Sequence, residues 1–377
     1  MTDLVISDLK VLRLTLDRIG PFQETEKVIT FFGPTDESGT KGPANLYMLL
    51  AKNGHGKTTI LEAIHGLFGL LGRPVTGRFA EPGFHGRVQA DLRATWTLEG
   101  QTQTVLLSIW TGGPNPLKAW DNASERDDFA QAPEWATLGL EWNGAGIVFY
   151  DRTDELGLAF YRAVQEQVDQ APTGLFGVSG EMPTVLLFPA DRTLVAPEPH
   201  RAVQRPEIWG YQPARRFGAD GPSWPSSIDN LLVWLDWLDD KRLDGLIDYV
   251  NENLFHELGK TLRKPQREEL AAYISTATGE HGLPALSHGE RALLQVYTRL
   301  AAHMTRNTIV LIDEVETHLH PVWMQRLFRA LKSLAAGNER LSIIFTTHSR
   351  ELIRDFDHKM LEPKLTKGVY LIPDEVE

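Results

Sequence analysis

Asn45-Leu46-Tyr47-Met48-Leu49-Leu50, running on into Ala51-Lys52-Asn53-Gly54-His55-Gly56-Lys57-Thr58-Thr59, decides how the rest of the chain is read. An apolar run of strand character enters a glycine-containing turn. From Lys57 onward Ile60, Leu61, Ile64, Leu67, Phe68 and Leu71 recur at steps of three and four, the period of a helix. Strand, glycine loop and helix in that order make a phosphate cradle, because small residues at Gly54 and Gly56 let backbone N–H groups turn inward and the helix N-terminus adds favourable charge. Alanine at position 51 replaces the usual first glycine, the mildest departure available. In such a loop Asn53, Gly54, His55, Gly56, Lys57, Thr58 and Thr59 contact the nucleotide. Lys57 reaches the β- and γ-phosphates, and the Thr58 hydroxyl completes the shell of a Mg2+ ion. An accidental glycine-rich turn is the competing reading of this stretch taken alone.

The second half of such a site lies far along the chain. Asn307-Thr308-Ile309-Val310-Leu311-Ile312 reads as a buried strand delivering Asp313 and Glu314 at its tip. Asp313 is placed to hold Mg2+, and Glu314 to accept a proton from an attacking water. Between the two halves, Leu286-Ser287-His288-Gly289-Glu290 heads a helix through Ala292, Leu293, Val296 and Leu300. After them come Val315-Glu316-Thr317-His318-Leu319-His320-Pro321 and an apolar strand, Ile343-Ile344-Phe345, ending at Thr346, Thr347 and His348. His318 and His320 fit a packing or interface role better than a metal site, since no acceptor cluster adjoins them in sequence.

Taken in order, these segments resemble the ABC-class ATPases, and more closely their SMC, RecF and OLD-like branch. The resemblance implies an α/β head with a mixed β-sheet core, an antiparallel β-layer and an inserted helical lobe. It also implies that two copies sandwich ATP, with Ser287 and Gly289 of one chain reaching the γ-phosphate bound to the other, and that His348 is the switch histidine. Asp191, in Phe188-Pro189-Ala190-Asp191-Arg192, stands where a metal sensor is expected, and Arg18, in Leu16-Asp17-Arg18-Ile19-Gly20-Pro21-Phe22, where related heads carry an arginine near the nucleotide. The expected cofactors are ATP and Mg2+.

The intervals narrow the branch. Lys57 and Ser287 are 230 residues apart, Ser287 and Asp313 only 26, and Asp313 and His348 only 35. The short helical patterns and many prolines of the long interval cannot build an SMC coiled coil. The 29 residues after His348 are too few for an OLD-type nuclease domain, so any nuclease or toxin is expected on a separate chain. The segments expected are 1–84, the first part of the ATPase core; 85–179, an antiparallel β subdomain; 180–196, a core strand with the sensor-like loop; 197–282, a proline-rich connector and helical lobe; and 283–377, the rest of the core. Within the lobe Ser226 or Ser227 is the expected helix cap. The carboxylates Asp236, Asp239, Asp240, Asp244 and Asp248 read as a solvated helical face rather than a metal site.

Composition sets the outer limits. The 377 residues, 42% of them apolar, supply an ample core, and no apolar stretch is long enough to span a bilayer. The absence of cysteine removes disulfides, thiolate metal sites and cysteine nucleophiles. A net charge of −12 confines any DNA contact to a local surface. The expectation is a cytoplasmic ATPase that forms a homodimer or higher homo-oligomer. It acts in DNA repair or phage defence or, alternatively, is an ATP-gated scaffold holding a separate effector; DNA is a candidate ligand.

Overall fold

The computed structural model describes residues 4–35, 41–52, 54–80, 86–168, 170, 180–192, 194, 197–198, 202–219, 223–266, 268–357 and 365–371. The chain opens with β1 (Val5–Asp17), β2 (Lys27–Thr30), a small pair β3 (Phe32–Thr35) and β4 (Lys41–Pro43), and β5 (Leu46–Leu50), which feeds α1 (Lys57–Gly69). Two long strands follow, β6 (Arg87–Leu98) and β7 (Gln101–Thr111), then α2 (Ala123–Ala130), β8 (Glu134–Trp142), β9 (Ile147–Phe149) and α3 (Glu155–Gln167). The turn between β6 and β7 is the pair Glu99-Gly100. Both have positive φ, the geometry that matches the twist of two antiparallel strands.

These strands form one sheet in the order β2-β1-β6-β7-β8-β9, so the boundary expected at 84/85 falls between β1 and β6, which pair along most of their length. The layer is antiparallel except at β7 and β8, which run parallel. The segment between them contains α2, capped by Asn122, and this crossover returns the chain in its original direction.

The remaining elements are β10 (Thr184–Phe188), β11 (Ala214–Arg216), α4 (Ile228–Leu238), α5 (Arg242–Val250), β12 (Thr261–Leu262), β13 (Tyr273–Thr276), β14 (Gly279–Gly282), α6 (His288–His303), β15 (Thr308–Ile312), α7 (Pro321–Gly337), β16 (Ser342–Thr346), α8 (Arg350–Asp357) and β17 (Lys367–Leu371). Ser227 caps α4, its hydroxyl accepting the N–H of Asn230. A second sheet, parallel throughout, has the order β11-β10-β15-β16-β5-β17. Every residue of β10, β15 and β16 is buried, as strands covered on both faces require.

Alternation along those strands divides the interior. Tyr47, Leu49, Val185, Leu187, Ile309 and Leu311 face α1 and, beyond it, β1, β6 and β7. Leu46, Met48, Leu186, Phe188, Val310 and Ile312 face α4 to α8. Helix α1 is therefore sandwiched between two sheets, which accounts for burial of almost its whole length after the first turn. Among the described residues no helix is long and apolar enough to cross a membrane.

Candidate functional site

Three parallel strands bring the expected residues to one edge. β15 and β16 are neighbours and β16 pairs with β5, so Asp313, Thr346 and the glycine loop all leave the sheet at its C-terminal end. The loop has the backbone its function requires. Gly54 and Gly56 have φ of 83° and 87°, and a Cβ on Gly56 would lie 2.4 Å from a ring carbon of Phe22. Ile19 and Phe22 bridge to one another, and Gly20 of the same turn presses against Thr59. The Arg18–Phe22 turn thus buttresses the loop. The Arg18 guanidinium itself is exposed and pairs with Asp17 at 3.3 Å.

Lys57 is buried, and its ammonium donates to the carbonyls of Ala51 at 2.9 Å and Lys52 at 3.1 Å, closing the loop across its own mouth. An ammonium carries three protons, so one remains for a phosphate oxygen. Burial lowers the pKa of Lys57, while Asp313, Glu314 and Glu316 oppose that shift.

A chain of hydroxyl contacts joins loop to strand ends. Thr58 Oγ1 donates to Asp313 Oδ2 at 2.7 Å, and Thr346 Oγ1 donates to Asp313 Oδ1 at the same distance. Thr346 Oγ1 also accepts the N–H of Glu314 at 2.7 Å, and Thr317 Oγ1 donates to Glu314 Oε2 at 2.9 Å. Asp313 is buried with both oxygens engaged, whereas Glu314 is partly exposed. Glu314 sits in left-handed backbone at φ 43°, as does His318 at 64°. Among the described residues no group of three or more His, Asp or Glu could hold a metal unaided. The adjacent hydroxyl of Thr58 and carboxylate of Asp313 are hard oxygen donors of the kind Mg2+ takes when phosphates and water complete its shell, so the donor set fits that ion.

The backbone N–H of His348 donates to Glu316 Oε1, and the exposed imidazole follows β16 directly. Ser287 caps α6: its hydroxyl accepts the N–H of Glu290 at 3.4 Å, and Glu290 Oε2 accepts the N–H of Ser287 at 2.9 Å. This reciprocal pair forms the capping box, and it leaves Ser287 at the exposed tip. Gly289 packs beside His318, Leu319 and Trp323. His55 in the loop and Thr59 in the first turn of α1 are half-buried, Asn53 lies outside the described residues, and Asp191 is exposed beyond β10.

Two residues that no motif of the sequence singles out are closely engaged in the structure. Thr346 was visible only as a threonine ahead of a candidate histidine, yet its hydroxyl joins Asp313 to Glu314. Arg192, next to the expected sensor, is 2% exposed and donates to four backbone carbonyls. Neither leaves a periodic signal, because each acts through strands remote in sequence.

A strand–glycine loop–helix unit, a parallel sheet that brings an Asp-Glu pair beside it, and a helix opened by the Ser287 capping box have the form of an ABC-type P-loop ATPase. Residues 195–354 match the family described as "AAA domain, putative AbiEii toxin, Type IV TA system". Over 105 residues the chain is 29% identical to the Escherichia coli protein described as "Retron Ec83 probable ATPase". The match takes in 25% of this chain and 19% of that protein, so the chain spans about a fifth of its relative's length. Two solved structures align over most of the chain. The SMC head domain from Thermotoga maritima is 15% identical, with 92% of this chain and 91% of that one covered, at a TM-score of 0.36. The protein cbiO1 from Clostridium perfringens, described as part of the ABC transporter complex cbiONQ, is 10% identical, with 95% and 83% covered, at a TM-score of 0.33.

Proposed function

We propose that the chain binds ATP with Mg2+, pairs with a second copy around the nucleotide, and uses hydrolysis to release the pair, so controlling a separate effector in a phage-defence system. The observation that supports the chemistry best is the unbroken set of contacts Thr58–Asp313–Thr346–Glu314, which makes one assembly of the phosphate loop and the ends of β15 and β16. In this reading Lys57 binds the β- and γ-phosphates and the loop N–H groups orient them. Thr58 and Asp313 would hold Mg2+, which supplies neutralisation of phosphate charge. Glu314 takes the proton of the attacking water, its carboxylate aimed by Thr317. His348 orients the γ-phosphate, and Ser287 meets that phosphate from the partner copy.

The setting rests on two descriptions of other proteins, one a retron ATPase and the other a toxin–antitoxin family. The family description itself names a toxin, which supports an effector as the thing controlled. A clamp acting on DNA in repair is the runner-up, and it predicts turnover stimulated by DNA; the net charge of −12 argues for a protein partner instead.

The decisive experiment on the chemistry is Glu314→Gln. The amide keeps the shape and the contact with Thr317 but cannot take a proton, so turnover falls by a factor on the order of 100 or more while ATP affinity is kept. Size-exclusion chromatography with ATP and Mg2+ then shows a persistent larger species. Wild-type hydrolysis by this variant overturns the assignment.

A further inference from the structure

Arg192 is the largest charge buried near the site, and its hydrogen-bond partners are all carbonyls. Nη1 donates to Pro189 O and Asp313 O, each at 2.8 Å, and Nη2 donates to Glu314 O at 2.9 Å and Val315 O at 3.3 Å. Three consecutive carbonyls at the end of β15 and one beyond β10 thus converge on one guanidinium. Their directions require a planar fork; a lysine ammonium, with three donors at one point, cannot span them.

The turn so held is the unusual one. Glu314 occupies left-handed backbone, a conformation that side-chain-bearing residues adopt only when surrounding contacts impose it. Thr346 Oγ1 fixes the N–H of Glu314 from one side, and Arg192 fixes its carbonyl from the other. The segment beyond β10 is anchored in turn, since Arg291 on α6 donates to Leu194 O at 3.2 Å. Burial pulls the pKa of Arg192 down to about 10, with Asp313, Glu316 and Glu314 opposing that shift, so the group stays protonated at neutral pH.

We propose that Arg192 is a positioning residue for the reaction: its guanidinium holds the left-handed turn that presents Glu314, and ties that turn to the segment following β10. It touches neither phosphate nor water in this role and acts through the turn that carries Glu314. The proposal rests on Glu314 being the proton acceptor, and the test separates the two.

Four proteins are compared with wild type: Arg192→Met, Arg192→Lys, Glu314→Gln and the double variant Arg192→Met/Glu314→Gln. Single-turnover hydrolysis with radiolabelled ATP measures even slow rates, and a fluorescent ATP analogue gives affinity. A misplaced base costs about 100-fold in rate when the shift is on the order of 1 Å. Arg192→Met is therefore expected to lose about 100-fold in hydrolysis with affinity within about threefold of wild type, and Arg192→Lys to fall between. In the Glu314→Gln background Arg192→Met costs nothing further, because there is no base left to misplace. A merely structural arginine would slow both backgrounds alike or weaken ATP binding in parallel, and either result overturns the proposal. So does a wild-type rate in Arg192→Met while Glu314→Gln is inactive. A wild-type rate in Glu314→Gln defeats the base assignment instead. If Arg192→Met does not fold, Arg192→Lys, alone and combined with Glu314→Gln, makes the same comparison.

Discussion

Replacing Thr346 by valine removes one oxygen atom and nothing else of consequence, since the side chain is fully buried and valine fills the same space. That oxygen makes two hydrogen bonds of 2.7 Å, donating to Asp313 and accepting from the N–H of Glu314. A hydrogen bond to a charged group contributes about 2 kcal/mol and a neutral one about 1, so the loss is about 3 kcal/mol, roughly a 150-fold change in the unfolding equilibrium. Thr346→Ser keeps the hydroxyl, sheds only a methyl group, and should cost about 1 kcal/mol. Urea unfolding without nucleotide, followed by the fluorescence of the ten tryptophans, measures both. Turnover should divide in the same way, retained with serine and reduced with valine, because Glu314 loses the anchor of its N–H. If valine and serine variants prove equally stable and equally active, the hydroxyl bridge does not hold the two carboxylates in place and the account of the site fails at its centre.

Composite sites make a separate forecast: Ser287→Arg and Lys57→Ala chains, each inactive alone, should regain activity on mixing, up to about one intact site per heterodimer. No recovery in verified heterodimers excludes a role for Ser287 across the pair. His65 supplies a pH test. Burial, aided by Arg216, lowers its pKa from 6.5 to about 4, so between those values the unfolded chain binds a proton that the folded one does not. Stability therefore rises with pH across that window, and falls by about 2 kcal/mol between pH 6.5 and 5. Urea midpoints of His65→Gln should show that component missing; an unchanged slope refutes it. Breaking the capping box of α6 with Glu290→Ala should cost about 1 to 2 kcal/mol, read from the same midpoints, because it removes the bond to the N–H of Ser287 and the 2.7 Å pair with Lys260.

The parts of the fold legible in the sequence are those written in short-range patterns. The glycine loop, the helix after it, and strands such as Thr308–Ile312 announce themselves through spacing and unbroken apolar runs. Helix α2 does not, being eight residues long with its apolar Phe129 and Ala130 confined to its last turn; only Asn122 followed by Glu125 marks its start. Strands β12 to β14 are two to four residues long, and one of them reads Gly-Glu-His-Gly, so neither periodicity nor propensity reveals them. In the site, Lys57, Thr58, Asp313 and Glu314 could be named from local context. The threonine and arginine that hold the Asp-Glu pair could not, since their partners lie 33 and about 120 positions away. No local pattern encodes which strands become neighbours.

One such adjacency bears on how the protein comes into being. The strand that feeds the phosphate loop, β5, lies between β16 and β17, so both of its hydrogen-bonded neighbours come from residues 342–371. During synthesis that strand emerges early and waits while nearly 300 further residues are added, roughly 15 to 60 seconds at ordinary elongation rates. Until then its edges are unsatisfied and the loop has no sheet to hang from. A chain still short of residue 342 therefore carries the glycine loop without the neighbouring strands that position it, and the site is assembled only when those distant strands arrive.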